Sequence, residues 1–298
     1  MKKCLITGVA GQLGYDLAKS LLQHGWSVVG TDLMEQYPGN LPITYVQLDI
    51  TQKDGVEHTL SFVRPDIVFH CAAWTQVDLA ELPENKEKVY QINAEATKNI
   101  AEACKKQNCT LLYLSTDYVF DGTGTTPWQE DGINFAPLNI YGDSKLQGEQ
   151  AIRNTLSKYF IVRISWVFGT NGKNFINTML QLAQKYDTLR VVNDQVGNPT
   201  YTKDLAPLLV QMAETDQYGT YHACNEGEAI SWYDFACEIF AQSKYNVQVI
   251  SVSTAEYGAS TAKRPFNSRL SRNKLDQAGF KRLPHWKDAL QRYLIERE

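Results

Sequence analysis

Short apolar, β-branched runs alternate with stretches of helical period through the first two-thirds of the chain. Cys4–Thr7, Ser27–Asp32, Tyr45–Leu48, Ile67–Cys71, Thr110–Ser115 and Phe160–Ser165 read as strands. Helices are predicted over Gln12–His24, Gln52–Val63, Glu84–Lys106 and Ile140–Leu156. In the first of these, Leu13, Leu17, Ala18, Leu21 and Leu22 share one face, and Gly25 follows as a C-cap glycine would. The second stops at Arg64-Pro65, because the residue before proline disfavours the α conformation. The strands are continuously apolar instead of alternating, so both faces of their sheet are covered. Helical crossovers between such strands predict an α/β fold with a doubly wound parallel sheet.

Beyond Trp166 the rhythm loosens. Helices are expected at Phe175–Lys185, Lys203–Glu214 and Trp232–Gln242, with short strands at Leu189–Val192 and Thr220–Ala223. This reads as a smaller α/β lobe over the C-terminal edge of the sheet. The division is residues 1–165, with later segments returning to the sheet, and residues 166–298, mainly a lobe for a substrate. No repeat, linker or low-complexity tract is visible.

Composition narrows the classes of function. Hydrophobic residues make up 43% and charged residues 21% of the 298, which excludes intrinsic disorder. The net charge of −4 and pI near 5.8 argue against a nucleic-acid binder that works by bulk charge. No apolar run approaches the ~20 residues of a membrane helix. Met1-Lys2-Lys3 looks like the start of a signal peptide. However, Gly8, Gly11, Gln12 and Asp16 interrupt any apolar core, so a cytoplasmic protein is expected. The six cysteines form no CxxC pair and no zinc spacing with histidine, so structural thiols and no metal site are expected.

The chemistry begins where the first strand ends, in Thr7-Gly8-Val9-Ala10-Gly11-Gln12-Leu13-Gly14. Gly8, Gly11 and Gly14 permit a tight turn and a close approach of backbone to a diphosphate at the start of a helix. That context predicts a Rossmann-type dinucleotide site. Asp32 ends the second strand, 18 positions after Gly14, where a carboxylate accepts from an adenosine ribose and repels a 2′-phosphate. Leu33, Met34, Glu35 and Gln36 follow and supply no cation, so the local chemistry leans to NADH. Asp49 is a candidate for the adenine amino group, or else a turn aspartate.

Tyr141 precedes Lys145 by four residues in Tyr-Gly-Asp-Ser-Lys, which places both on one helix face. An ammonium beside the phenol would lower its pKa towards neutrality and make it a proton donor to a forming alkoxide. Upstream, Ser115-Thr116-Asp117-Tyr118 closes a strand, where a hydroxyl can polarise a carbonyl.

These residues resemble the extended short-chain dehydrogenase/reductase superfamily, and within it most closely the dTDP-4-dehydrorhamnose reductase family. The similarity spans nearly the whole chain. It is carried by Gly11–Gly14, Ala72-Ala73-Trp74-Thr75-Gln76-Val77-Asp78, Ser115–Gly122, Pro137–Gly142, Arg163–Val167, Asp194–Thr200 and Arg264–Leu270. The resemblance implies NADH- or NADPH-dependent reduction of the 4-keto group of dTDP-4-dehydro-L-rhamnose, for cell-surface polysaccharide. It implies that Thr116 holds the carbonyl oxygen, Tyr141 protonates it, and Lys145 binds the nicotinamide ribose. Ala72 and Ala73 would border the cofactor. Thr75, Val77 and Tyr118 would line the sugar pocket, and Trp166 would pack on the sugar. Arg264 and Arg269 are candidates for the diphosphate, where a guanidinium fork matches phosphate oxygens. The resemblance also admits a homodimer.

The chain departs from the superfamily at His70-Cys71, where an asparagine is usual before the Ala-Ala pair. Two other functions compete. A nucleotide-sugar dehydratase or epimerase shares the fold, but dehydratases carry Thr-Asp-Glu where this chain has Tyr118 in third place. A dinucleotide-binding regulatory subunit of the methionine adenosyltransferase kind is also similar, and it would not need the intact Thr116, Tyr141 and Lys145.

Overall fold

In the computed structural model, which describes residues 1–258 and 260–297, the first apolar run is strand β1 (Lys3–Thr7), and the chain turns directly into helix α1 (Gln12–Gln23). The alternation continues through β2 (Ser27–Asp32), β3 (Thr44–Gln47), α2 (Lys53–Val63) and β4 (Ile67–His70). A short α3 (Val77–Ala80) follows. The segment expected as one long helix is α4 (Pro83–Tyr90), a π-helical turn over Gln91–Glu95, and α5 (Ala96–Gln107). Then come β5 (Thr110–Thr116), α6 (Ile140–Thr155) and β6 (Tyr159–Ile164). These bounds lie within a residue or two of the runs read from the sequence.

The sheet has seven parallel strands in the order Gly219–His222, β6, β5, β4, β1, β2, β3. Strand order reverses beside β1, so a crevice opens at the C-terminal ends of β1 and β4. One face is filled by Leu13, Leu17 and Leu21 of α1 with Leu205, Leu208, Leu209 and Met212 of the helix Thr202–Ala213. The other holds Val56 and Leu60 of α2 with Ile100 and Cys104 of α5. Burial pushes the Cys4 and Cys71 thiols up to about 12, as apolar surroundings do for a thiolate.

The strand Gly219–His222 and the helix Thr202–Ala213 are later segments that return to the main sheet and complete it and its cover. Their connection from β6 first passes through lobe material, so the βαβ rhythm is broken in sequence but not in space. A separate core of Phe168, Tyr201, Phe235, Trp286 and Tyr293 organises the rest. It includes two elements absent from the sequence reading. The strand Gln248–Val252 pairs with Thr188–Val192, and the helix Trp286–Arg297 buries Trp286, Ala289, Leu290 and Tyr293. That i, i+3, i+4, i+7 spacing is a helical signal in its own right. Among the described residues, no helix is long and apolar enough to cross a membrane.

Candidate active site

The glycine loop is built for close packing. Gly8 and Val9 donate their N–H groups to the carbonyl of Thr31, at 2.8 and 3.2 Å. A Cβ on Gly14 would lie 2.1 Å from the Gly8 carbonyl oxygen, so only glycine fits there. Gly11 is the N-cap of α1, no side chain caps that end, and its first turn carries no acidic residue. The leading N–H groups and the positive end of the helix dipole are therefore left for an anion. Asp32 points back at this loop, accepting from Ala10 N at 3.1 Å and from Leu33 N at 2.8 Å. Asp49 accepts from the backbone and hydroxyl of Thr51, which is a turn role at the start of α2. Three residues outside the sequence reading close over the loop. Asn171 donates to Ala10 O, Asn174 donates to Gln12 Oε1, and Lys173 O accepts from Gln12 Nε2.

Thr116 ends β5 and caps the 3₁₀ turn Asp117–Val119 by accepting from Tyr118 N at 3.2 Å. The start of α6 seats on this turn, and a Cβ on Gly142 would lie 2.2 Å from the Tyr118 carbonyl oxygen. Asn139 fixes that helix end, accepting from Gly142 N at 2.8 Å. The result sets the Tyr141 side chain beside the Thr116 hydroxyl, near enough for that hydroxyl to favour the phenolate. The Tyr118 ring meets Tyr141 edge-on with centroids 5.7 Å apart.

The expectation that Lys145 lowers the Tyr141 pKa is corrected by this geometry. The Lys145 ammonium lies over the Tyr113 ring, 4.0 Å from its centroid. Burial dominates both groups: it raises Tyr141 to about 12, opposed by the neighbouring Thr116 hydroxyl, and lowers Lys145 to about 7. Tyr141 is consequently a protonated phenol across the neutral range. Next to Thr116, burial pushes the Asp117 carboxyl up to about 7, opposed by Ser268 and Thr116.

Two positioning residues had no strong sequence signal. Asn93 lies in the π turn, where such turns often mark function. It accepts from Trp74 N at 2.8 Å and donates to Trp74 O and to Ser144 Oγ of α6. An asparagine inside a helical run was the available hint. His70, at the departure noted above, bridges Thr7 Oγ1 at 2.8 Å and Thr97 Oγ1 at 3.0 Å. Thr7 Oγ1 in turn accepts from Ala72 N, so this chain holds the segment that leads to Ala73. Burial holds His70 down at about 3, a neutral imidazole.

On the far side of the crevice, Thr75 is exposed and Val77 half-buried at the start of α3. Trp166 has φ +49°, a costly backbone for a bulky residue. One face of its indole is covered by Trp232, with centroids 3.6 Å apart and planes 10° from parallel. Arg264 is not free: it pairs with Asp78 at 2.6 Å. Arg269 donates to Asn267 Oδ1 at 3.0 Å and, among the described residues, pairs with no carboxylate. Among the described residues, no three His, Cys, Asp or Glu side chains are grouped to hold a metal.

Comparison with known proteins places this chain in a family. The model of the RmlD substrate binding domain matches residues 1–298. A spore coat polysaccharide biosynthesis protein of Bacillus subtilis is 40% identical over 100% of this chain and 98% of its own length. The dTDP-4-dehydrorhamnose reductase of Aggregatibacter actinomycetemcomitans is 40% identical over 97% of each chain. The crystal structure of dTDP-4-dehydrorhamnose reductase from Bacillus anthracis, solved in complex with NADP, superposes with a TM-score of 0.90 at 39% identity, over 99% of this chain and 100% of that one. With the glycine loop, the Thr116–Tyr141 contact and the seven-stranded sheet already in place, this chain belongs to the RmlD substrate-binding-domain family.

Proposed function

We propose that this chain reduces the 4-keto group of dTDP-4-dehydro-L-rhamnose, as an NAD(P)H-dependent oxidoreductase of dTDP-rhamnose biosynthesis. The observation that carries the reading is Tyr141 set beside the Thr116 hydroxyl, at the same edge of the parallel sheet as the glycine loop, in a chain that matches its family from end to end. The nicotinamide, when bound, supplies the hydride. Tyr141 supplies the proton to the C4 oxygen. A phenol held near 12 keeps that proton at neutral pH and releases it only to a stronger base, such as a forming alkoxide. Thr116 donates a hydrogen bond to the same oxygen and steadies the developing charge. Lys145 holds the nicotinamide ribose. Gly8, Gly11, Gln12, Leu13 and Gly14 cradle the diphosphate, and Ala72 and Ala73 border the other half of the dinucleotide.

Thr75, Val77 and Tyr118 line the sugar pocket, with the uncovered part of Trp166 against the sugar and Arg264 and Arg269 at the diphosphate. Asp32 favours an unphosphorylated ribose, so we read NADH as the preferred cofactor. A dehydratase would need a further carboxylate where Tyr118 stands. A purely regulatory role would leave Thr116 and Tyr141 side by side without a use.

The test is a panel of 4-keto sugar nucleotides with both cofactors. NADH or NADPH is oxidised only when the 4-keto sugar nucleotide is present. Tyr141→Phe removes at least about a hundredfold of turnover, as loss of a general acid does, and spares cofactor binding. Wild-type rates in that variant would sink Tyr141 as the acid. Asp32→Ala weakens NADH by about tenfold, on the order of one charge-assisted hydrogen bond, and NADPH less. Equal losses for the two cofactors would remove Asp32 from the ribose.

A further inference from the structure

Arg264 and Asp78 form an ion pair across the mouth of the crevice. Asp78 lies on α3, directly after Val77. Its carboxylate gathers donors from one loop of the distant C-terminal sequence. Arg264 Nη2 reaches Oδ2 at 2.6 Å, and Arg264 Nη1 reaches Oδ1 at 3.1 Å. Ala262 N reaches Oδ1 at 3.0 Å and Ser260 Oγ reaches it at 3.1 Å. Arg264 also donates to the Ser260 hydroxyl, and the Tyr118 side chain lies near it. The same Tyr118 ring meets the Tyr141 ring edge-on.

Both partners remain partly solvated, with side-chain exposures of 25% for Arg264 and 44% for Asp78. An ion pair so exposed contributes little and is exchanged at small cost. A doubly charged diphosphate attracts a guanidinium more strongly than one carboxylate does, and it presents the same planar pair of acceptors. In a 4-keto sugar nucleotide the anomeric phosphate and the C4 carbonyl stand on opposite sides of a single sugar ring.

We propose that Asp78 is a stand-in anion for the substrate: its carboxylate holds the Arg264 fork where the diphosphate of a sugar nucleotide binds, and the diphosphate displaces it. This rests on reading the chain as a sugar-nucleotide reductase. The displacement moves the fork from one anion to another and frees the loop at Ser260 and Ala262 from α3. Asp78 thus opposes binding while Arg264 promotes it. Ligands without a diphosphate leave the pair closed.

The discriminating feature is the sign of two substitutions in one ion pair. Titration of the full-length protein with dTDP, and with thymidine as the uncharged control, is read for the wild type, Asp78→Asn and Arg264→Met. Asp78→Asn binds dTDP about three- to fivefold more tightly, the worth of an exposed pair. Arg264→Met binds it about tenfold or more weakly, and thymidine affinity moves in neither variant. The KM for the 4-keto sugar nucleotide follows the same two signs. Weaker dTDP binding in both variants makes the pair a structural tie and overturns the proposal, and so does unchanged dTDP binding in either one. A wild type that binds no dTDP and reduces no 4-keto sugar overturns the reductase reading instead.

Discussion

At the scale of single residues, Asp117 has an environment the sequence did not announce. It is buried beside Thr116, its Oδ1 accepts from the Thr116 hydroxyl, and its Oδ2 makes no hydrogen bond within the described residues. Desolvation raises its pKa to about 7. In the unfolded chain the same carboxyl ionises near 4. Between those values the folded state binds more protons, so this residue's contribution to stability is present below pH ~4 and fades as pH rises through 7. Asp117→Asn removes the titration. In urea unfolding, the variant gains on the wild type between pH 5 and pH 8, by on the order of a few kcal/mol. A difference that does not vary with pH would mean that the carboxyl ionises normally. The residue types of Tyr141 and Lys145 were legible only in company, because Tyr and Lys four apart on a helix are an ordinary surface pair until the glycine loop and the Ser115-Thr116 strand end stand beside them. Their charge states were not, because desolvation depends on what lies above and below the helix.

At the scale of elements, α6 carries more than the dyad. Tyr141, Lys145 and Glu149 recur every four residues on one face. Glu149 is fully buried and accepts from Ser115 Oγ at 2.6 Å, from Arg163 Nε at 2.8 Å and Nη2 at 2.7 Å, and from Arg153 Nη2 at 2.8 Å. This ties α6 to the ends of β5 and β6, one residue from Thr116. Glu149→Ala leaves Arg163 buried without its partner, and denaturant unfolding should show a loss of about 3–5 kcal/mol. Pairing Glu149→Leu with Arg163→Met recovers most of that, since a matched apolar pair has no charge to bury. A loss below ~1 kcal/mol in the single variant would show that water reaches the site. The helix itself was readable from its period, whereas the anchor was not. Glu149 and Arg163 are 14 residues apart, on elements whose contact exists only after β5 and β6 pair.

At the scale of the whole molecule, the lobe beyond β6 reaches back to the glycine loop. Asn171 donates to Ala10 O at 2.9 Å, and Gln12 donates to Lys173 O at 3.1 Å. A ligand that binds only the folded state stabilises it by mass action. NADH or NADPH therefore raises the melting temperature, and Asn171→Ala shrinks that rise. The same variant lowers the ligand-free stability by about 1 kcal/mol or less, the worth of one part-exposed hydrogen bond. An undiminished rise, measured by thermal melts over a cofactor series, would separate this loop from the dinucleotide site. The Asn171-Gly172-Lys173-Asn174 run carried no signal in sequence, since short polar loops look alike until their neighbours are known.

What the order of residues settles here is local. Continuous apolar strands, a glycine turn into an uncapped helix and a Tyr–Lys pair one helical turn apart each depend on residues close in sequence, and each is found where the pattern puts it. What folding settles is everything that depends on proximity between distant segments. The strand Gly219–His222 joins β6 only after an intervening lobe, Lys145 faces Tyr113 instead of the Tyr141 phenol, and Arg264 is held by Asp78. The physical reason is the same in each case. Backbone conformation follows from steric and hydrogen-bonding preferences within a few residues, whereas burial and charge pairing are properties of the packed whole.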